Sequence, residues 1–62
     1  MISFTVNKFA EILVKDEVSL YVQECGGYFE IKKRVIEFFV PTEYREFMLL
    51  KYPFLTQVDY IL

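Results

Sequence analysis

The residue types that could do chemistry are few. Cys25 is the single cysteine, and histidine is absent from the 62 residues. A thiolate nucleophile needs a neighbouring base or cation to lower its pKa, and no imidazole can serve. Cys25 therefore reads as a small residue flanking a turn. Zinc needs several Cys or His ligands, so no metal is expected. General acid–base work needs a titratable group held in a cleft with a shifted pKa, and the candidates here are Glu and Asp only. Glu24 and Glu37 lie nearest to apolar positions, and both read as solvated surface groups. Gly26–Gly27 lacks the longer glycine spacing and the following helix start of a phosphate loop. Neither catalytic residue nor cofactor is assigned, and the chain reads as a non-enzyme.

Two constellations point to binding instead. Lys32-Lys33-Arg34 is the one basic run, and with Tyr21 and Tyr28 nearby it could make a small nucleic-acid platform. Basic and aromatic groups together suit single strands, and a β-ribbon can enter a major groove as a dimer. Tyr21, Lys32 and Arg34 are the candidates for that alternative. Against it stand the strand alternation, which turns Lys33 away from its neighbours, and a net charge of −2, which gives no general pull toward polyanions. The second constellation is aromatic. Tyr44, Phe47, Met48, Tyr52 and Phe54 are residue types enriched at interface centres. With seven Phe and five Tyr in so short a chain, some rings must reach the surface, where clustered aromatics mark contact sites.

Length and composition frame these sites. Residues 1–62 make one domain, and a chain of this size buries only about 60% of its unfolded surface. A hydrophobic content of 55% excludes a disordered tail. No stretch approaches the roughly 18 apolar residues of a membrane span, and Met1-Ile2-Ser3-Phe4 does not open like a signal peptide. A lone thiol suits a reducing cytoplasm.

The elements that must position the candidates follow from periodicity. Ile2, Phe4 and Val6 alternate as a short strand. Asn7 can cap a helix carrying Phe9, Ile12 and Leu13, ending near Asp16–Glu17. Val18, Leu20 and Val22 alternate again. Gly26–Gly27 accepts the positive φ of a two-residue hairpin turn, which predicts a hairpin over 18–35 with Val22 opposite Ile31 and Val18 opposite Val35. Ile36, Phe38 and Val40 then have the wrong parity, so a β-bulge near Lys33–Arg34 is expected, with a helix as the rival for 36–40. Pro41 ends that strand, Thr42 caps a second helix with apolar groups on two sides, and Pro53 stops it. The tail 54–62 fits either helix or strand.

The expected fold is thus α+β: a small single domain in the order β-α-β-β-α, its short antiparallel sheet packed by two helices. The expected function is a small cytoplasmic protein-interaction module. It would bind or occlude a larger protein, or homodimerise, in the manner of the modulators that very short viral or mobile-element genes encode. Neither a membrane nor a small molecule is expected as partner.

Overall fold

Period-two alternation at Ile2, Phe4 and Val6 is realised as strand β1 (Ile2–Asn7). In the computed structural model, which describes residues 1–9 and 12–58 with backbone alone at 12–14, it is followed by helix α1 (Ile12–Glu24), strands β2 (Tyr28–Ile31) and β3 (Val35–Val40), a 3-10 turn (Thr42–Tyr44), helix α2 (Arg45–Lys51) and strand β4 (Thr56–Val58). The four strands form one antiparallel sheet in the order β2-β3-β1-β4. The α+β class and the β-α-β-β-α order stand, with a further strand at the end.

The hairpin expected over 18–35 is not present. Residues 18–24 belong to α1. Val18 and Val22 share a parity, but they also stand at i and i+4, so strand and helix templates both fit them. Leu20 separates the two. A strand would bury it beside the valines; it is 63% exposed, while Val18 and Val22 lie in the core. The helix also runs well past Asp16–Glu17. Asn7 does not cap it: that residue ends β1, and its Oδ1 accepts the N–H of Phe9 at 2.9 Å in the turn that follows.

Gly26–Gly27 ends the helix rather than turning a hairpin. Gly26 has φ +84°. Its N–H donates to the Gln23 carbonyl at 3.1 Å, and the Gly27 N–H reaches back to the Val22 carbonyl at 2.9 Å. This is the paired bonding of a Schellman cap, with glycine at its left-handed position. A helix cap and a tight hairpin make the same demand for positive φ, which is why the glycine pair alone did not distinguish them.

The true hairpin joins β2 to β3 and turns at Lys33–Arg34. Its register pairs Tyr28 with Phe39, Phe29 with Phe38 and Ile31 with Ile36. The Lys32 N–H closes it on the Val35 carbonyl at 2.8 Å. No bulge is needed, because the turn itself resets the parity of Ile36, Phe38 and Val40. The strand reading of 36–40 holds over the helical one.

The core lies between the sheet and the helices. Phe4 faces Phe38 across β1 and β3, and both are fully buried with Ile36 and Val40. Val18 and Val22 of α1 cover them, joined by Met48, Tyr52 and Leu55. The rings of Tyr21 and Tyr52 meet edge-on at 5.8 Å, so α1 and α2 share one face of the sheet. At α2, Thr42 makes no side-chain cap and the α-helical turns begin at Arg45. Beyond Pro53, β4 pairs with β1, Ser3 opposite Val58. This fits the strand reading of the tail as far as Val58; residues 59–62 lie outside the described part.

Candidate functional site

The short helix α2 is held to the core by one stripe. Met48 and Tyr52 stand at i and i+4 and are buried, and Leu55 extends the stripe beyond Pro53. The Tyr52 N–H closes the last turn on the Met48 carbonyl at 2.9 Å. Arg45 ties the first turn to β4 by donating from Nε to Gln57 Oε1 at 3.1 Å. Lys51 in the last turn and Glu46 in the first suit the helix dipole.

The expected aromatic cluster therefore divides. Met48 and Tyr52 fill the core, so their side chains are not available as a contact surface. Phe47 and Phe54 are exposed at 60% and 50%. Tyr44 is half-buried, its ring 6.3 Å from that of Phe47. Phe54 packs edge-on against Tyr52 at 6.0 Å. Leu50, one turn on from Phe47, is 83% exposed and is the member that sequence reasoning missed. The signal for it was available: Met48, Tyr52 and Leu55 make an i, i+4, i+7 stripe that leaves Phe47 and Leu50 on the opposite side. Phe47 and Leu50 line a surface depression with Thr42, Glu43, Arg45 and Glu46, two exposed apolar side chains among polar and charged ones.

The alternative nucleic-acid residues are not brought together. Tyr21 sits on α1, packed against Tyr52, with the Lys51 ammonium 4.8 Å from its ring centre. Lys32 pairs with Glu37. Glu37 alternates with the core-facing Ile36 and Phe38, so it and Lys32 lie on the sheet face away from the helices. The sheet separates Tyr21 from Lys32, and Arg34 lies in the turn between β2 and β3, so the three candidates do not form one platform.

Glu37 corrects a further expectation. It is 2% exposed rather than solvated. It stands opposite Glu30 on β2 and Thr5 on β1, with the half-exposed Lys32 supplying the countercharge. Glu24 is exposed, as expected. Cys25 is half-buried with a free thiol, beside the Tyr21 phenol. Burial, followed by the nearness of Cys25, raises the Tyr21 pKa above its ordinary value of 10.0. Burial, followed by the charge of Glu17, does the same for Tyr52. The Tyr52 hydroxyl has no hydrogen-bond partner among the described residues.

Among the described residues, no group of three or more acidic, Cys or His side chains could hold a metal ion. No helix there is long and apolar enough to cross a membrane. On the open sheet face, the rings of Tyr28 and Phe39 stack at 4.7 Å and 17°. In comparisons with known proteins, no family model, no curated protein and no solved structure matches this chain.

Proposed function

We propose that the chain is a non-enzymatic interaction module that binds a larger protein through the outer face of α2. The observation that carries this reading is the exposure of Phe47 and Leu50, 60% and 83%, on a helix whose opposite side is committed to the core. Exposed apolar side chains set among charged ones have the composition of a protein contact, and aromatic anchors contribute most of the energy in such contacts. The fitting partner presents an apolar groove that takes Phe47 and Leu50, with polar groups at its edge to meet Glu43, Arg45 and Glu46. Binding there would occlude that groove. The same reading carries with it a cytoplasmic, reducing compartment, which suits the lone thiol of Cys25, and a role as modulator of a host protein.

The test compares affinity capture by three chains: the natural one, the double variant Phe47→Ser with Leu50→Ser, and Leu20→Ser as a control for an exposed leucine on α1. The expected outcome is a captured protein retained by the natural chain and the control but lost with the α2 variant, while circular dichroism is unchanged in all three. Equal retention by the α2 variant would sink the proposal.

A further inference from the structure

Strand β2 lies at one end of the sheet order, with β3 on one side and no strand on the other among the described residues. The bond from the Lys32 N–H to the Val35 carbonyl marks 32 and 35 as a hydrogen-bonded pair. By antiparallel alternation, the pairs 30–37 and 28–39 carry the other ladder bonds. The N–H and C=O groups of Phe29 and Ile31 therefore point out of the sheet, along the free edge. That edge carries no proline or lysine within the strand, the devices that usually blunt one, and Tyr28 and Ile31 are about half exposed beside it.

We propose that this edge takes a second copy of the chain, by antiparallel pairing of β2 with the partner's β2 centred on Phe29. The occupant follows from register and charge. Opposed residues must lie on the same sheet face, so a two-fold axis has to pass through a residue pair. Of the registers that keep most of the strand paired, one centres on Glu30 and sets two carboxylates directly opposite, which is destabilising. The other centres on Phe29. It sets Phe29 against the partner's Phe29 and Tyr28 against the partner's Glu30, a phenol donor facing a carboxylate, and the axis repeats that pair.

The same register carries the tip of each hairpin, Lys33 and Arg34, past the partner's Gly27 toward the end of the partner's α1. That helix ends in Glu24 and has no basic residue in its last turn, so the negative end of its dipole lacks a cation from its own turn. Each copy thus offers a basic tip and an acidic helix end, and the two-fold brings each tip to the other's end. The basic run that singled itself out in the sequence finds a use here that needs no nucleic acid.

The experiment is sedimentation equilibrium on the full 62-residue chain, three altered chains and a mixture of two of them. The natural chain is expected to show a concentration-dependent dimer. A synthetic chain N-methylated at Phe29 loses an outward donor without touching the β2–β3 ladder, and is expected to sediment as a folded monomer. Glu24→Lys, and Lys33→Glu with Arg34→Glu, are each expected to weaken the dimer roughly tenfold, about threefold at each of the two symmetry-related contacts, the scale of an exposed charge pair. An equimolar mixture of those two charge variants is expected to associate more tightly than either variant alone, because in the heterodimer one contact is natural and in the other the reversed tip meets the reversed helix end. Glu24→Lys favours the isolated helix, so its effect is not explained by unfolding. A natural chain that stays monomeric at its solubility limit, an N-methylated chain that still dimerises, or a mixture no tighter than its components would overturn the proposal. Phe47→Ser with Leu50→Ser leaves the edge intact, so this result is separate from that for the α2 surface.

Discussion

Replacing Gly27 by alanine places a methyl carbon in overlap with the Phe39 carbonyl oxygen, 3.0 Å from Val22 Cγ1 and 3.1 Å from the Phe39 carbonyl carbon. The nearest obstacle is backbone, in the strand that forms the centre of the core, so it cannot rotate away as a side chain would. Relief requires moving the end of α1 off β3. That strains the cap bond from the Gly27 N–H to the Val22 carbonyl and the packing of Val22. Overpacking costs about 1–3 kcal/mol and a lost hydrogen bond about 1 kcal/mol, giving roughly 2–4 kcal/mol. A domain of this length has a total stability of about 3–9 kcal/mol, so a large share is at stake. With a urea dependence near 1 kcal/mol per molar, the unfolding midpoint followed by circular dichroism should fall by roughly 2–4 M. Gly26→Ala is the internal comparison. Nothing lies within 4 Å of its Cβ position, but its φ is +84°, which costs an L residue about 1–2 kcal/mol. Gly26→Asn should recover part of that, because Asn tolerates the left-handed region. A Gly27→Ala chain as stable as Gly26→Ala would refute the close approach of the helix end to Phe39 and the cap assignment built on it.

Other perturbations test the remaining assignments. Leu20→Ser should change stability by less than about 0.5 kcal/mol, whereas Val22→Ala should cost about 2 kcal/mol; equal effects in urea melts would return both residues to one strand face. Phe38→Ala should cost about 3–5 kcal/mol, enough to leave much of the chain unfolded by near-ultraviolet dichroism. Tyr52→Phe removes a buried hydroxyl without a partner among the described residues, so it should be neutral or stabilising by up to about 1 kcal/mol. Raised phenol pKa values at Tyr21 and Tyr52 mean that the folded chain keeps protons which the unfolded chain sheds above its ordinary value of about 10. Stability should therefore be unaffected by these groups below that pH and fall as pH rises through the window up to the raised values. Thermal melts across that range should show the fall, and Tyr52→Phe should lessen it.

How much of this was legible in the sequence depended on whether two templates competed for the same residues. Nothing competed with the alternation of Ile2, Phe4 and Val6, and the strand is there. Pro53 stopped α2 as its missing N–H and its effect on Tyr52 require. At 18–24 the competition was real, since Val18 and Val22 satisfy both periods. A helical reading adds Tyr21 and Cys25 at i+3 and i+7, which are half-buried in the structure, while a strand reading adds Leu20, which is not. The turn at Lys33–Arg34 carried no glycine or asparagine to announce it, and no residue other than glycine has positive φ among the described residues. The pairing of β3 with β2 on one side and β1 on the other decides that turn, and such tertiary pairing is invisible to a local pattern.

The same substitution of helix for strand moves the functional argument. Had 18–24 paired with β2, that strand would have been interior, its outward N–H and C=O groups used, and the basic run would have lain within a ladder. Because α1 takes those residues onto the face of the sheet, β2 is left at an edge and Lys33–Arg34 becomes the hairpin tip beside it. The Schellman cap then brings the acidic end of α1 to the opposite end of the same edge, since Gly27 leads directly into Tyr28. Edge, basic tip and acidic helix end are thus consequences of one local choice, the use of Gly26 as a helix cap. A perturbation that weakens that cap without unfolding the core, such as Gly26→Ala, should therefore loosen the β2–β2 contact as well as the helix end. Dimer affinity and cap stability should fall together across Gly26→Asn and Gly26→Ala, measured by sedimentation and by urea melts. Affinity that stayed constant along that series would separate the edge from the cap and leave the charge pairing between Glu24 and the partner's hairpin tip without its structural basis.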